Sequence, residues 1–187
     1  MQVLPPHDLV AEELAKVVDL PARVRQCVNE APWRAAYRRH PVVTANPDEP
    51  VVPVALYVDG VQYQNRDSVQ GYWLHNLLTD KHHCFVVFRQ KHRCRCGCRG
   101  WCSQFTLLKF LHWTLRAMAD GVYPAIRHDG EWLPEQGGAA TAGEELGFKA
   151  AVIMARGDWS ELRHAFGYPS WQTHAHSCLL CFAQKRP

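Results

Sequence analysis

Six of the eight cysteines in this 187-residue chain fall into two short clusters. The members are Cys94, Cys96, Cys98 and Cys102 in the first cluster, and Cys178 and Cys181 in the second. A disulfide framework usually spaces its cysteines so that they close long loops, which neighbours two residues apart do poorly. The spacing therefore favours reduced thiols that serve as metal ligands.

The first cluster offers four potential ligands within the nine residues 94–102. Four thiolates can surround a tetrahedral ion, and Gly97 and Gly100 supply the sharp turns that such close ligands need. Zinc suits sulfur ligands, and an iron–sulfur cluster is the alternative. Because the spacing is tighter than in paired C-x2-C knuckles, the four thiols need not all bind one ion. A cysteine-rich loop without a metal is the other open interpretation.

The second cluster is a single C-x2-C knuckle formed by Cys178 and Cys181. One knuckle donates two ligands, so a zinc site here needs two more. His174 and His176 are the nearest candidates, while His164 or a cysteine of the first cluster are alternatives. Two buried cysteines without a metal remain the competing interpretation.

Composition excludes several classes of protein. Hydrophobic residues make up 47% of the chain and charged residues 21%, which is typical of a globular protein and excludes disorder throughout. No apolar run approaches the roughly 18 residues that span a bilayer, so no membrane association is expected. The start of the chain lacks the pattern of a secretory signal, which predicts a nuclear or cytoplasmic protein. The net charge of +3 is too small to indicate nucleic-acid binding by itself.

Residues 1–50 are interpreted as a leader and linker. Apolar spacing predicts a helix over about 8–18, and a second short helix carrying Val24 and Val28. The prolines between positions 32 and 53 predict an extended linker after these helices.

Residues 51–187 are interpreted as one domain with a cysteine-rich insert at 91–102 and a knuckle at 174–181. The predicted elements, in order, are strands over 51–58, 68–79 and 84–88, a helix over 103–120, a strand over 148–155 and a helix over 159–166. The 68–79 segment is ambiguous between helix and strand, and strand is favoured. The order β-β-β-α-β-α predicts an α/β fold with a mixed sheet, in which three strands meander and a crossover helix leads to a parallel one.

The long helix is expected to form the centre of the core. Ser103 is predicted to cap its start and Gly121 to end it. The apolar face is predicted to follow the helical spacing of Leu108, Leu111, Leu115 and Met118.

Two acids each follow an apolar strand beside a glycine: Asp59 precedes Gly60, and Asp158 follows Gly157. If the two strands are parallel neighbours, both carboxylates lie at one edge of the sheet, where they could share divalent metal ions. Asp-Gly is also a hairpin-turn signal, and an acid before a helix is also a cap.

Five cations lie within the eleven residues that lead into and through the first cysteine cluster. They are Arg89, Lys91, Arg93, Arg95 and Arg99. Such a run can contact phosphates. It can equally offset the negative charge of a tetrathiolate centre and face water.

A set of motifs across residues 51–183 resembles the ribonuclease H-like, or retroviral-integrase-like, core of CACTA-type and related cut-and-paste transposases. The motifs are Tyr57-Val58-Asp59-Gly60, Arg66-Asp67-Ser68, Leu74-His75-Asn76-Leu77, Gly157-Asp158-Trp159-Ser160-Glu161, Phe166-Gly167-Tyr168-Pro169-Ser170-Trp171 and Cys178-Leu179-Leu180-Cys181. The order β-β-β-α-β-α agrees with that fold.

The resemblance implies that Asp59 and Asp158 are the first and second catalytic acids, holding Mg²⁺ or Mn²⁺ for cleavage of DNA. It implies DNA as partner, and self-association is also expected. Enzymes of this type need a third carboxylate, and Glu161, one helical turn after Asp158, is a poor substitute. No acid follows Glu161. We therefore expect a transposon-derived, truncated protein without strand transfer of its own; a non-catalytic zinc module for nucleic acid or protein is the alternative.

Overall fold

The computed structural model describes residues 5–64, 67–98, 100–131 and 141–166. The helices of these ranges are α1 (Pro6–Leu14), α2 (Leu20–Glu30), α3 (Arg34–Arg38), α4 (Pro41–Ala45), α5 (Trp101–Asp120) and α6 (Trp159–Phe166). The strands are β1 (Val51–Gln64), β2 (Asp67–Asn76), β3 (Lys81–Arg89) and β4 (Lys149–Arg156). A turn of 3-10 helix over Gln90–His92 follows β3.

The four strands form one mixed sheet in the order β3-β2-β1-β4. β2 pairs antiparallel with both β1 and β3, whereas β4 pairs parallel with β1, from Val51 opposite Lys149 to Tyr57 opposite Arg156. The long helix α5 lies between β3 and β4 in the chain and contacts β4. The α/β class with a mixed sheet is therefore confirmed.

β1 is longer than its apolar run predicts. It continues past Asp59 and Gly60 to Gln64 and stays paired with β2, with Asp59 opposite Gly71. The Asp-Gly pair is therefore strand and not a hairpin turn. The ambiguous segment after it is indeed a strand, β2.

The buried face of α5 agrees only in part with the predicted spacing. Leu111 and Met118 are buried as predicted, and Leu107 and Phe110 are buried with them, whereas Leu108 and Leu115 are only partly buried. One reason is that α1 packs against α5: the backbone N–H and ring Nδ1 of His7 lie 3.2 and 2.8 Å from the hydroxyl oxygen of the buried Thr114.

The ends of α5 also differ in part from the prediction. The N-cap of α5 is Gly100, so Ser103 lies inside the helix instead of capping it. Gly121, with a φ of +74°, ends the helix as expected.

The leader belongs to the same hydrophobic core as the sheet. Val10 is fully buried, Val24 and Val28 are buried with it, and the Tyr37 hydroxyl donates to the Val51 carbonyl at 2.8 Å. The expected extended linker is wrong, because this segment contains α3 and α4. Several prolines stand in the first two positions of helices, where the missing N–H costs nothing, as Pro41 does in α4.

A buried polar contact fixes α1 to the edge of the sheet. The carboxylate of Glu13, whose side chain is 4% exposed, accepts from the Thr79 hydroxyl and contacts Nε2 of His83.

Among the helices that the structure describes, none has both the length and the apolar character needed to span a membrane.

Candidate metal centre and acidic sheet edge

The first cysteine cluster assembles as predicted. The four Sγ atoms all lie within 4.8 Å of one another; they belong to Cys94, Cys96, Cys98 and Cys102. The sulfurs of Cys96 and Cys102 are 3.7 Å apart. A tetrahedral zinc ion with Zn–S distances of about 2.3 Å separates its sulfur ligands by about 3.8 Å. The donor set and its spacing therefore fit zinc.

The local backbone explains how ligands so close in sequence converge. Gly97 and Gly100 have φ values of +91° and +88°, a region that residues with a Cβ avoid. The second glycine is also the N-cap of α5, so Cys102 lies in the first turn of that helix. The helix N-terminus thereby adds its positive end to a site that collects negative charge.

Hydrogen bonds to sulfur distinguish the thiols. The Cys102 backbone N–H donates to Sγ of Cys98 at 3.4 Å, and this bond leads the causes that lower the pKa of Cys98 to about 6. Hydrogen bonding to Cys98, followed by that to Cys96, raises the pKa of Cys102 to about 12. The cluster thus contains one thiol whose pKa is lowered beside one whose pKa is raised. A bound metal would displace the remaining thiol protons.

Two neighbouring residues tie the cysteine loop to the rest of the fold. The backbone N–H of Cys94 donates to the Ser103 hydroxyl at 2.9 Å, which joins the start of the loop to α5. Arg93 donates to Oε1 of Gln70 at 2.6 Å and lies over the Phe88 ring, 5.4 Å from its centroid. The loop is therefore anchored to the helix and to the sheet.

Gln70 extends this anchor to the other end of the sheet. It is 4% exposed, accepts from Arg93 through its amide oxygen and donates to the Glu161 carboxylate through its amide nitrogen. The Tyr72 hydroxyl also donates to the Gln70 oxygen at 3.2 Å and in turn accepts from Gln104 at 2.6 Å. A buried polar chain thus links the cysteine loop to α6. No sequence pattern pointed to it, because Gln70 resembles any polar residue of an alternating strand.

The predicted basic run divides in the structure. Lys91 and Arg95 are exposed beside the cysteines. Arg93 is partly buried and committed to Gln70, and Arg89 is partly buried in β3 opposite Val69. Arg99 lies outside the described residues. Two of the five cations are therefore displayed to solvent in the described part of the loop.

The acid pair lies level with the carboxyl end of β4: Asp158 follows that strand, whereas Asp59 stands inside the longer β1. Because Tyr57 lies opposite Arg156, Asp59 and Asp158 are each two residues further along the same register. Hydrogen bonding of the Tyr57 hydroxyl to Asp59, at 2.9 Å, raises the pKa of Tyr57, and the charges of both acids raise it further. The two carboxylates therefore act on the same hydroxyl.

Each acid also has a local structural partner. Asp59 accepts from the Gly60 backbone N–H at 2.8 Å. Asp158 accepts from the Ser160 hydroxyl at 2.9 Å and from the Glu161 N–H at 2.7 Å, which caps α6. Asp158 is thus the N-cap of α6, as one of the two interpretations of its sequence position predicts.

Within residues 5–64, 67–98, 100–131 and 141–166, the cysteine cluster is the one group of three or more potential ligands that converge within 4.8 Å. No third ligand therefore joins Asp59 and Asp158 at that distance among these residues. The predicted second site lies outside the described residues and stays a prediction. Its members are His174, His176, Cys178 and Cys181.

Comparisons with known proteins found no matching family model, no similar curated protein and no similar solved structure.

Proposed function

We propose that this chain is a zinc-stabilised, transposase-derived domain that binds nucleic acid and does not carry out strand transfer alone. The observation that carries the proposal is the acidic edge: Asp59 and Asp158 stand at equivalent positions on β1 and after β4, two parallel neighbours in the order β3-β2-β1-β4. This is the arrangement expected of a ribonuclease H-like core.

The acids are proposed to bind Mg²⁺ or Mn²⁺ weakly. Carboxylate oxygens are the ligands that these ions prefer, but two carboxylates leave most of an octahedral shell to water. Phosphodiester transfer also needs its ions fixed in a reactive geometry. Because no third ligand joins the pair within 4.8 Å among the described residues, binding without robust cleavage is the expected behaviour.

The nucleic-acid contact is assigned to the exposed cations of the cysteine loop. Lys91 and Arg95 flank the cluster and face solvent. Zinc would hold this short loop in one shape, so that both cations meet a phosphate backbone from a fixed position. Arg93 would support the loop instead of touching the ligand, since its guanidinium already donates to Gln70.

The second candidate function is a zinc module without any catalytic inheritance, which binds nucleic acid or protein. The hydrogen bonds of the acids favour it: Asp158 caps α6, and Asp59 accepts from Tyr57 and Gly60. In that case the acids are retained for structure, and replacing them should cost stability without changing metal affinity.

Duplex DNA binding tests the proposal. Affinity should fall steeply with salt, and the double change Lys91→Gln, Arg95→Gln should reduce the slope of log affinity against log salt by about 2, at roughly 0.9 per lost contact. Lys16→Gln, an exposed lysine of the leader, is the matched control and should leave the slope unchanged. Absence of binding at low salt would contradict the proposal.

Titration with Mn²⁺ separates the two candidate functions. Asp59→Asn should weaken Mn²⁺ binding, whereas Asp48→Asn, at an exposed acid outside the sheet, should not. Equal Mn²⁺ affinity in the wild type and Asp59→Asn would favour the zinc module without catalytic inheritance. Cleavage of DNA that depends on Asp59 would contradict the expected inactivity.

A further inference from the structure

One face of α5 exposes aromatic rings to solvent. Trp101 is 47% exposed and Phe105 is 49% exposed. Together with Ile126, which is 44% exposed, they line a groove of about 760 Å³. Large aromatic side chains cost free energy when they face water, so clustered exposure is typical of a binding surface.

Two of the three cations that line this groove are already ion-paired. Arg116 pairs with Asp120 at 3.2 Å, and Arg127 pairs with Asp129 at 2.8 Å. The third cation is Lys109, whose Nζ lies 4.9 Å from the centroid of the Phe105 ring. Trp101, Phe105 and Lys109 follow one another at intervals of four residues and so share one face of α5. Two rings and a cation on one helix face are complementary to an anion that carries flat apolar groups.

The groove also continues from the cysteine loop. Trp101 follows the Gly100 cap directly and precedes the ligand Cys102. Lys91 and Arg95 lie exposed in the same loop. A nucleic-acid strand that contacts Lys91 and Arg95 would therefore meet the ring of Trp101 next.

We infer that the α5 groove binds single-stranded nucleic acid, with Trp101 and Phe105 stacking on bases and Lys109 contacting a phosphate. The inference rests on the proposed nucleic-acid binding and adds the form of the ligand. Unpaired bases are required because the bases of a duplex are stacked on each other and offer no free face. Proteins that bind single strands combine aromatic platforms with cationic grooves in this way.

The experiment measures binding of a fluorescent dT oligonucleotide and of a duplex of the same length to the zinc-loaded chain. The wild type should bind the single strand more tightly. Trp101→Ala and Phe105→Ala should each weaken that binding about 5- to 150-fold, the range found for single base–aromatic stacks. Val61→Ala, at an apolar residue 60% exposed on β1, is the matched control and should have no effect.

Further variants guard against a merely structural effect. Trp101→Phe keeps a ring and should retain most of the affinity, while removing part of the tryptophan quenching that accompanies binding. Phe105→Ala lies outside the ligand set, so its zinc content should equal that of the wild type. Lys109→Gln should weaken binding and reduce its salt dependence, whereas Lys16→Gln should not.

Four outcomes decide the matter. A loss confined to the two alanine variants of the groove supports the inference. Unchanged single-strand binding in both, with duplex binding intact, overturns it and leaves the proposed function standing. No binding of either oligonucleotide overturns both. Self-association, or binding of a glutamate-rich amphipathic peptide, that Phe105→Ala abolishes while oligonucleotide binding persists would make the groove a protein interface and overturn the inference.

Discussion

The leader and the cysteine loop are attached to the same sheet by different physical means. The leader inserts apolar side chains: Val10 is fully buried and Leu14 is 7% exposed. The cysteine loop has no comparable apolar contribution among its described residues; Cys96 and Arg95 are exposed, and the loop is held by hydrogen bonds through Arg93 and Ser103. Apolar burial holds the leader in place, whereas the cysteine loop relies on hydrogen bonds and on its four potential metal ligands.

The cysteine loop is thus a short segment that becomes ordered without a core of its own. Ordering the backbone costs roughly 1–2 kcal/mol per residue, which the leader offsets by removing apolar area from water. The cysteine loop has little such area, so its hydrogen bonds and the zinc that we propose would have to supply the stabilisation. The two regions should accordingly respond to different perturbations.

Removal of the proposed zinc should produce the largest effect and confine it to the cysteine loop. Chelation, or Cys98→Ser, should abolish the bound zinc and expose the amides of 90–102 to hydrogen exchange, because a structural site contributes on the order of 10 kcal/mol in small zinc peptides. The amides of α1 and α2 should remain protected. Cys27→Ser is the control, since that thiol donates to the Leu77 carbonyl away from the cluster. Equal deprotection of the leader and the cysteine loop would contradict the claim that zinc orders the loop alone.

Truncating a buried leader residue should do the reverse. Leu14→Ala should lower the free energy of unfolding by about 2–5 kcal/mol, the usual cost of deleting a buried leucine side chain, with zinc content unchanged. Val18→Ala, at a residue 86% exposed, should cost less than about 0.5 kcal/mol. Denaturant titration measures both. An effect of Leu14→Ala as small as that of the control would place the leader outside the core.

The polar contact beneath α1 should contribute less than its apolar contacts. His83→Ala should cost about 1–3 kcal/mol, because it leaves the buried Glu13 carboxylate with one partner fewer. Lys16→Ala removes the exposed pair between Lys16, just after α1, and Glu12 of α1, and should cost about 0.5 kcal/mol or less. Similar costs for the two changes would show that burial does not strengthen the Glu13 contact.

The smallest expected effect is a pH dependence from the α1–α5 contact. Burial lowers the pKa of His7, against the charge of Asp8, so the folded chain binds this proton less readily than the unfolded chain does. The contribution of His7 to stability should be complete above about pH 6.5 and be lost as the pH falls through its lower folded pKa. His7→Gln should remove part of the slope of stability against pH between 7 and 5, at most about 1.4 kcal/mol per pH unit. The exposed His112→Gln should leave the slope unchanged.

Local patterns were sufficient to predict the elements of the sheet and the thiol cluster. A β-branched run such as Val51 to Val58 is typical of a buried strand. Four cysteines within nine residues are close enough along the chain for their sulfur atoms to converge. The end of β1 was not predictable, because Asp59 and Gly60 are held in the strand by pairing with β2, a contact distant in sequence.

The leader shows why other features required the structure. The prolines after the first helix predict breaks, yet Pro21 and Pro41 stand at helix starts, because which role a proline takes depends on the residues that follow it. The buried face of α5 likewise depends on α1, whose His7 meets Thr114 from 107 residues away. Spacing along one helix does not reveal such a partner.

The buried amide of Gln70 has a consequence for what position 70 can tolerate. Its oxygen faces the guanidinium of Arg93 and its nitrogen faces the carboxylate of Glu161, so the amide has one orientation only. A glutamate of the same shape would satisfy the arginine but set two carboxylates against each other, and a leucine would remove the hydrogen-bond partner at position 70 from both charges. Among side chains of this length, an amide alone is an acceptor on one side and a donor on the other. The opposite charges of Arg93 and Glu161 therefore fix the direction in which the Gln70 amide of β2 is oriented.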